Sequence, residues 1–188
     1  MSRLIRAVGP LELRDPLPDG FAALVRSIMY QQLAGAAAST IHGRFLKLFS
    51  DGLSPAAVLA LPEGAMRTAG VSGSKAAAIA DLAIKVSDGT VPLHDVEGLS
   101  DDELVARLML VRGIGRWTAE MFLMFQLGRL DVWPVDDYGV RKGWALAHKL
   151  KQPPTPRALE AEGDQFRPYR SVAALYCWRA VDAESSVW

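Results

Sequence analysis

Apolar residues recur at helical spacing along most of the chain. From Phe21 onward Leu24, Val25, Ile28 and Met29 fall on one face, then the polar joint Gln31-Gln32-Leu33 interrupts, then an alanine-rich run reaches Phe49, so two helices with a short turn are predicted. Ser54-Pro55 sets a capping hydroxyl before proline at a first helical position, and Ser72 to Ser87 carries Ile79, Leu82, Ala83 and Val86 on one side. Ser100-Asp101-Asp102-Glu103 has the spacing of a capping box. Trp117 to Leu127 is apolar almost all round, which predicts a central, largely buried helix ended by Gly128. Further helices are expected from the Asp136-Asp137 turn to about Leu150, after Thr155-Pro156, and from Pro168-Tyr169 through Tyr176, Trp178 and Ala180, with Lys151-Gln152-Pro153-Pro154 as a breaker. Residues 1 to 20 are rich in proline and glycine and predict no element. No segment alternates as a strand would, and nothing repeats, so the pattern predicts an all-α chain of roughly ten short helices.

Composition adds bounds. At 188 residues and 50% hydrophobic, the chain can bury a core as one domain or as two small lobes, and both arrangements stay open. Lys+Arg 21 against Asp+Glu 21 gives no net charge, so any nucleic-acid surface has to be local. The lone Cys177 excludes a disulfide framework and a cysteine-ligated iron-sulfur cluster, and His42, His94 and His148 are too scattered to suggest zinc. The start of the chain lacks the apolar run of a signal peptide, and no segment approaches the roughly 18 apolar residues of a membrane span. A soluble protein of a reducing cytosol, without a bound transition metal, is expected.

Candidate chemistry concentrates in two places. Val111-Arg112-Gly113-Ile114-Gly115-Arg116 is a Gly-x-Gly turn between helical runs, where glycines permit positive φ and the following helix offers amides and the positive end of its dipole to a phosphate. A bare Gly-x-Gly also serves as a plain helix-helix turn; Arg112 and Arg116 move the balance toward DNA backbone. Further on, Asp136 and Asp137 precede a helical run with Val140 and Trp144. One carboxylate is expected to cap that helix and the other is then surplus. The cap is assigned to Asp136 and the chemistry to Asp137, the reverse assignment remaining open. A carboxylate there suits a group that stabilises positive charge or orients water.

Trp117, Tyr138, Trp178 and Trp144 supply flat aromatic faces. Each singly fits core packing; together, beside an acid in a DNA-contacting protein, they suggest a pocket that stacks a base at about 1–3 kcal/mol per base. Leu33, an apolar residue on a polar turn, fits either helix packing or a wedge entering a base stack. Lys75, Lys85, Arg141 and Lys142 fit a basic surface or a solvated helix face equally well.

Taken in order, Gln31-Gln32-Leu33, the run from Gly73 to Gly89 around Lys75, Leu110 to Ala119, Val135-Asp136-Asp137-Tyr138, and Pro168-Tyr169-Arg170-Ser171 through Trp178 form a recognisable series. The chain resembles the helix-hairpin-helix (HhH-GPD) DNA glycosylase superfamily, and within it the alkylpurine (3-methyladenine) glycosylases of the AlkA type, from about residue 20 to 182. The resemblance implies an all-α, two-lobed fold with the active site in the cleft between lobes, the lobes running roughly 21–110 and 111–188, and residues 1–20 packing on the C-terminal lobe. It implies a wedge at Leu33, an essential aspartate at Asp137 and aromatic walls at Trp117, Tyr138 and Trp178, with Gln32 and Met121 also facing the base. It implies backbone binding by Val111, Arg112, Gly113, Ile114, Gly115, Arg116 and Thr118. No cofactor is implied for the chemistry, only a monovalent cation bridging hairpin carbonyls to a phosphate when DNA is bound.

Departures from the family pattern refine this expectation. Strand-cutting members carry a lysine nucleophile where this chain has Trp117, so a monofunctional enzyme without lyase activity is expected. The missing cysteines argue against the endonuclease III and adenine-mismatch branches. Met121 stands where relatives often have a second aromatic, which implies a wider, adaptable pocket. The chain is also too short for the extra N-terminal β-domain of AlkA-type relatives. The expected partner is double-stranded DNA with alkylated bases, bound by a monomer in a bacterial-like, nucleoid-associated cytoplasmic setting. Two other readings stay open: a non-catalytic, structure-specific DNA-binding module, and a helical protein-interaction domain.

Overall fold

A computed structural model describes residues 1–11, 19–94 and 96–185. Among the described residues every regular element is helical. In chain order they are α1 (Ser2–Val8), α2 (Gly20–Tyr30), α3 (Gly35–Leu46), α4 (Pro55–Leu59), α5 (Ala65–Thr68), α6 (Gly73–Ser87), α7 (Asp101–Leu108), α8 (Arg116–Phe125), α9 (Tyr138–His148), α10 (Pro156–Gly163) and α11 (Arg170–Ser185), with a 3-10 turn at Asp164–Phe166. None of these helices is long and apolar enough to cross a membrane.

Local chemistry explains most boundaries. Asp19, Ser54, Ser72, Ser100 and Thr155 each accept a backbone N–H in the first turn of the helix that follows, and Ser100 with Glu103 completes the reciprocal box. These match the starts predicted for α4, α6, α7 and α10. The stretch predicted to hold no element contains α1, whose seven residues are too few for a helical period to show and of which none is buried. The helix is held from outside: it packs against α11, and the Tyr176 hydroxyl donates to the Gly9 carbonyl at 3.0 Å. Residues 12–18 of that stretch lie outside the described residues.

The chain divides into two compact units, Leu17–Phe122 and Met1–Pro16 with Leu123–Trp188. The division falls inside α8 rather than at the expected 110/111 boundary. The reason is local bonding. The turn before α8 is tied to residues of the first unit, through Gln31 to the Gly113 carbonyl and Asp81 to the Arg112 amide, so it belongs with the helices that precede it.

In Leu17–Phe122, α6 packs against α2, α4 and α5, and the core is built from Leu24, Val25, Ile28, Met29, Phe45, Ile79, Leu82 and Leu104, all essentially inaccessible. Each such side chain contributes roughly 1.5–3 kcal/mol by leaving water. In the other unit α9 lies directly on α11, with Val140, Trp144, Leu159, Ala174 and Cys177 buried. The two helices approach so closely at Gly143 that a methyl group there would overlap the Cys177 carbonyl. Burial pushes the Cys177 thiol up to about 12, as suits a packed thiol without a reactive role.

The helix expected to be buried all round departs from that expectation at two rings. Trp117 is 49% exposed and Phe125 45% exposed on α8, while Ala119, Phe122, Leu123 and Met124 are buried. An apolar composition says that a helix tolerates burial; its neighbours decide which side receives it.

Candidate functional site

Within Leu17–Phe122 two turns carry the residues expected to meet DNA. The first follows α2. Gln32 has a positive φ of 54°, unusual for a side chain with a Cβ, and it and Leu33 are exposed, Leu33 at 40%. Leu33 is therefore not the helix-packing residue that its apolarity allowed. Below it the Lys75 ammonium donates to the carbonyls of Met29 at 2.6 Å and Gln31 at 2.8 Å. Lys75 caps the end of α2 and does not extend a basic surface.

The second turn is the glycine hairpin before α8. Gly113 adopts φ 78°, a conformation that a side chain would strain, whereas Gly115 has no positive φ and open space where a Cβ would sit. One glycine thus makes the turn, and the other leaves room beside the start of α8. Val111 and Ile114 are buried, 1% and 4% exposed, and so is Thr118 at 6%. Their expected DNA contacts therefore reduce to backbone groups, since these side chains face the core. Arg112 is exposed, its amide held by Asp81 at 2.7 Å. That amide and the Lys85 ammonium hold the Asp81 carboxyl below the usual range. Arg116 pairs with the buried Glu120 at 3.2 Å while remaining half exposed. Gln31 Nε2 donates to the Gly113 carbonyl at 3.0 Å, so the two turns are bonded to each other.

In the unit of Leu123–Trp188 the central group is Asp137. It adopts an extended conformation at the start of α9, and its Oδ1 accepts the Val140 amide at 2.8 Å and the Trp178 indole N–H at 2.9 Å. The cap is therefore Asp137 and not Asp136, which is exposed. The reason is reach: only Asp137 stands three residues before the amide to be capped. The cap thus falls on the residue expected to carry the chemistry, and the premise of a surplus carboxylate does not hold. The indole N–H adds a tertiary constraint that a plain cap lacks.

Trp178 is half buried, and its ring lies 5.8 Å from that of Phe125 at an interplanar angle of 25°. Phe125 was not singled out from the sequence, because it read as one more apolar position of a buried helix. Tyr138 is 62% exposed, with the Arg141 guanidinium 5.7 Å from its ring centroid. Trp144 is core: it is 3% exposed, stacks on His148 at 3.9 Å and meets Trp133 edge-on. Gly139 was also missed. A Cβ there would lie 2.7 Å from Trp178 Cδ1 and 3.0 Å from Asp137 Oδ1, so the bond between indole and acid exists only because the residue between them has no side chain. Met121 is half buried, and Trp117, Met121 and Phe125 follow one another at i, i+4 and i+8 along α8.

This set of elements defines a class. The chain belongs to the HhH-GPD superfamily of base excision DNA repair proteins, whose family model matches residues 25–168. It is similar to DNA-3-methyladenine glycosylase 1 of Schizosaccharomyces pombe, with 33% identity over 186 residues covering 94% of this chain and 80% of that protein. Among solved structures, the crystal structure of a DNA-3-methyladenine glycosidase from Bacillus halodurans superposes with a TM-score of 0.93 at 34% identity, covering all of this chain and 86% of that one. The S. pombe 3-methyladenine DNA glycosylase in complex with abasic DNA gives 0.79 at 33% identity, covering 95% and 89%.

Proposed function

We infer that this protein is a monofunctional DNA glycosylase that hydrolyses the N-glycosidic bond of alkylated purines of the 3-methyladenine and 7-methylguanine type, opening base excision repair. The observation that carries the reading is the Asp137 carboxylate, fixed at the start of α9 by the Val140 amide and the Trp178 indole N–H. The names of the relatives at 33–34% identity support the substrate class.

The proposed chemistry asks little of the protein. A purine alkylated at N3 or N7 carries positive charge and leaves readily. As the bond to C1′ breaks, its electron pair neutralises the departing base, and the sugar takes on oxocarbenium character. Water then bonds to C1′ and gives up a proton. Asp137 stabilises the cationic sugar and orients the water, a preorganised electrostatic contribution. Trp117, Tyr138 and Trp178 offer rings to the extruded base, attractive in proportion to its positive charge. Met121 and Gln32 contribute to its surroundings. Leu33 fills the space that the base leaves, and the hairpin with Arg112 and Arg116 holds the phosphates. Tryptophan at 117, where strand-cutting relatives have lysine, supplies no amine for a Schiff base, so an abasic site is the product.

No cofactor enters this chemistry. A monovalent cation between hairpin and phosphate fits the donors present, which are neutral backbone carbonyls. The Val111, Gly113 and Gly115 carbonyls each already accept one hydrogen bond, from the Ile114 amide, the Gln31 side chain and the Ala119 amide, which leaves each a second lone pair. On this reading the enzyme works on the nucleoid in the cytoplasm as a monomer.

The test is base release from duplex DNA treated to carry N3- and N7-methylpurines. Asparagine caps helices as well as aspartate does, so Asp137→Asn isolates the charge. It should lower release on the order of 10²–10³-fold while binding to abasic-site duplex persists. Binding to abasic DNA without release from any alkylated substrate by the wild type would favour a non-catalytic DNA-binding module instead.

A further inference from the structure

α6 carries no group assigned to the reaction, yet it touches both turns assigned to DNA. Lys75 near its start holds the Met29 and Gln31 carbonyls, at 2.6 and 2.8 Å. Ala78, three residues on, is the neighbour that a Cβ on Gly113 would meet, at 3.5 Å. Asp81, three further, accepts the Arg112 amide at 2.7 Å. Residues at successive i+3 steps share a side of a helix, so one stripe of α6 reaches the end of α2 and the hairpin together. The Gln31 side chain closes the circuit at the Gly113 carbonyl, at 3.0 Å.

The cation is spent on backbone, not on a phosphate or a carboxylate. Lys75 is half buried, and burial lowers its ammonium from the usual lysine value. A lysine favours a helix C-terminus through the dipole. Here the donor comes from a different helix, and the carbonyls that it takes flank the start of the turn bearing Gln32, at φ 54°, and the exposed Leu33. A turn in such a conformation keeps it only where its surroundings over-determine it.

We propose that Lys75 and Asp81 are positioning residues that hold the Leu33 turn and the Gly113 hairpin in one register, so that gripping the backbone and entering the base stack act as a single rigid motion. This rests on the glycosylase reading. Its consequence is specific: the clamp matters where extruding the base costs most and little where the base is already loose.

The experiment compares single-turnover release, at saturating protein, of the same 7-methylguanine from two duplexes, one fully paired and one with the lesion inside a short mismatched bubble. Lys75→Met keeps the stem and removes the donors. It should slow release from the paired duplex at least tenfold and from the bubble less than threefold, and Lys75→Arg should recover most of the loss. Gln31→Met, which removes the link to Gly113 without touching α6, should show the same split and serves where Lys75→Met does not fold. Equal losses on both duplexes, or undiminished release from the paired one, overturn the proposal. Absence of release from both duplexes by the wild type overturns the glycosylase reading itself, a pattern that no clamp defect produces.

Discussion

The candidate residues of the two units are held in place by different means. Around the hairpin and the Leu33 turn, side chains bond to backbone: from α6, Lys75 to two carbonyls and Asp81 to an amide, and from the end of α2, Gln31 to a carbonyl. Around Asp137 two hydrogen bonds fix the carboxylate, and close contact sets where their donors lie. Backbone approaches backbone at Gly143 and Cys177, and Gly139 lets the Trp178 indole reach the carboxylate. Polar clamps hold exposed turns in one register through a few directed bonds. Close packing tolerates almost no displacement, which suits the role proposed for Asp137. The difference teaches that an exposed turn is fixed by bonds to its backbone and a half-buried acid by the backbones packed around it.

The contrast can be broken most severely at Gly143. Gly143→Ala sets a methyl group against the Cys177 carbonyl, where overpacking costs about 3 kcal/mol or more, and thermal unfolding should register a fall of several degrees. An unchanged midpoint would remove the claim that α9 and α11 meet in rigid contact.

Next in size is the indole bond. Trp178→Phe keeps an aromatic ring and loses the N–H, and a hydrogen bond to a charged group contributes about 1.5–3 kcal/mol, so kcat for base release should fall on the order of tenfold or more. Affinity for abasic-site duplex should stay near that of the wild type. If kcat holds, the indole N–H does not position the acid and Trp178 acts through its ring alone.

On the polar side the effects are smaller and depend on pH. The Asp81 carboxyl titrates below its ordinary value because of the Arg112 amide first and Lys85 second. A depressed folded-state pKa gives stabilisation that is complete above the unfolded value near 3.9 and disappears as pH falls through the lower folded value. Unfolding free energies from urea titration of wild type and Asp81→Asn should thus differ by roughly 1 kcal/mol at pH 6 and converge as pH falls below the lowered folded-state value. A constant gap across that range would show that the charge is not what matters.

The smallest change belongs to Arg112, exposed beside the hairpin. Arg112→Ala should weaken duplex binding alike for all sequences and lower the slope of log affinity against log salt by about one. An unchanged slope would mean that its side chain meets no phosphate.

Much of this was legible in one dimension because its causes are local. Capping hydroxyls, the Ser100-Glu103 box and helical spacing depend on residues a few positions apart, so the all-helical architecture and most helix starts could be read directly. The hairpin and the acid-bearing turn were legible for the same reason, and their order along the chain carried the family resemblance. Which acid caps α9 was a local matter too, yet with two adjacent aspartates only the backbone conformation at Asp137 resolved it. Other features depend on partners far along the chain. Lys75 looked like any surface lysine until α2 stood beside it, and Trp144 and Trp178, alike on paper, part company because one packs on His148 and Trp133 while the other meets Asp137. Gly139 and Gly143 were two small residues in a helical run; their importance comes from α11 passing within a methyl group's radius. A sequence records which side chains are available and at what spacing. Which of them is buried, bonded or left facing outward depends on what the rest of the chain brings alongside.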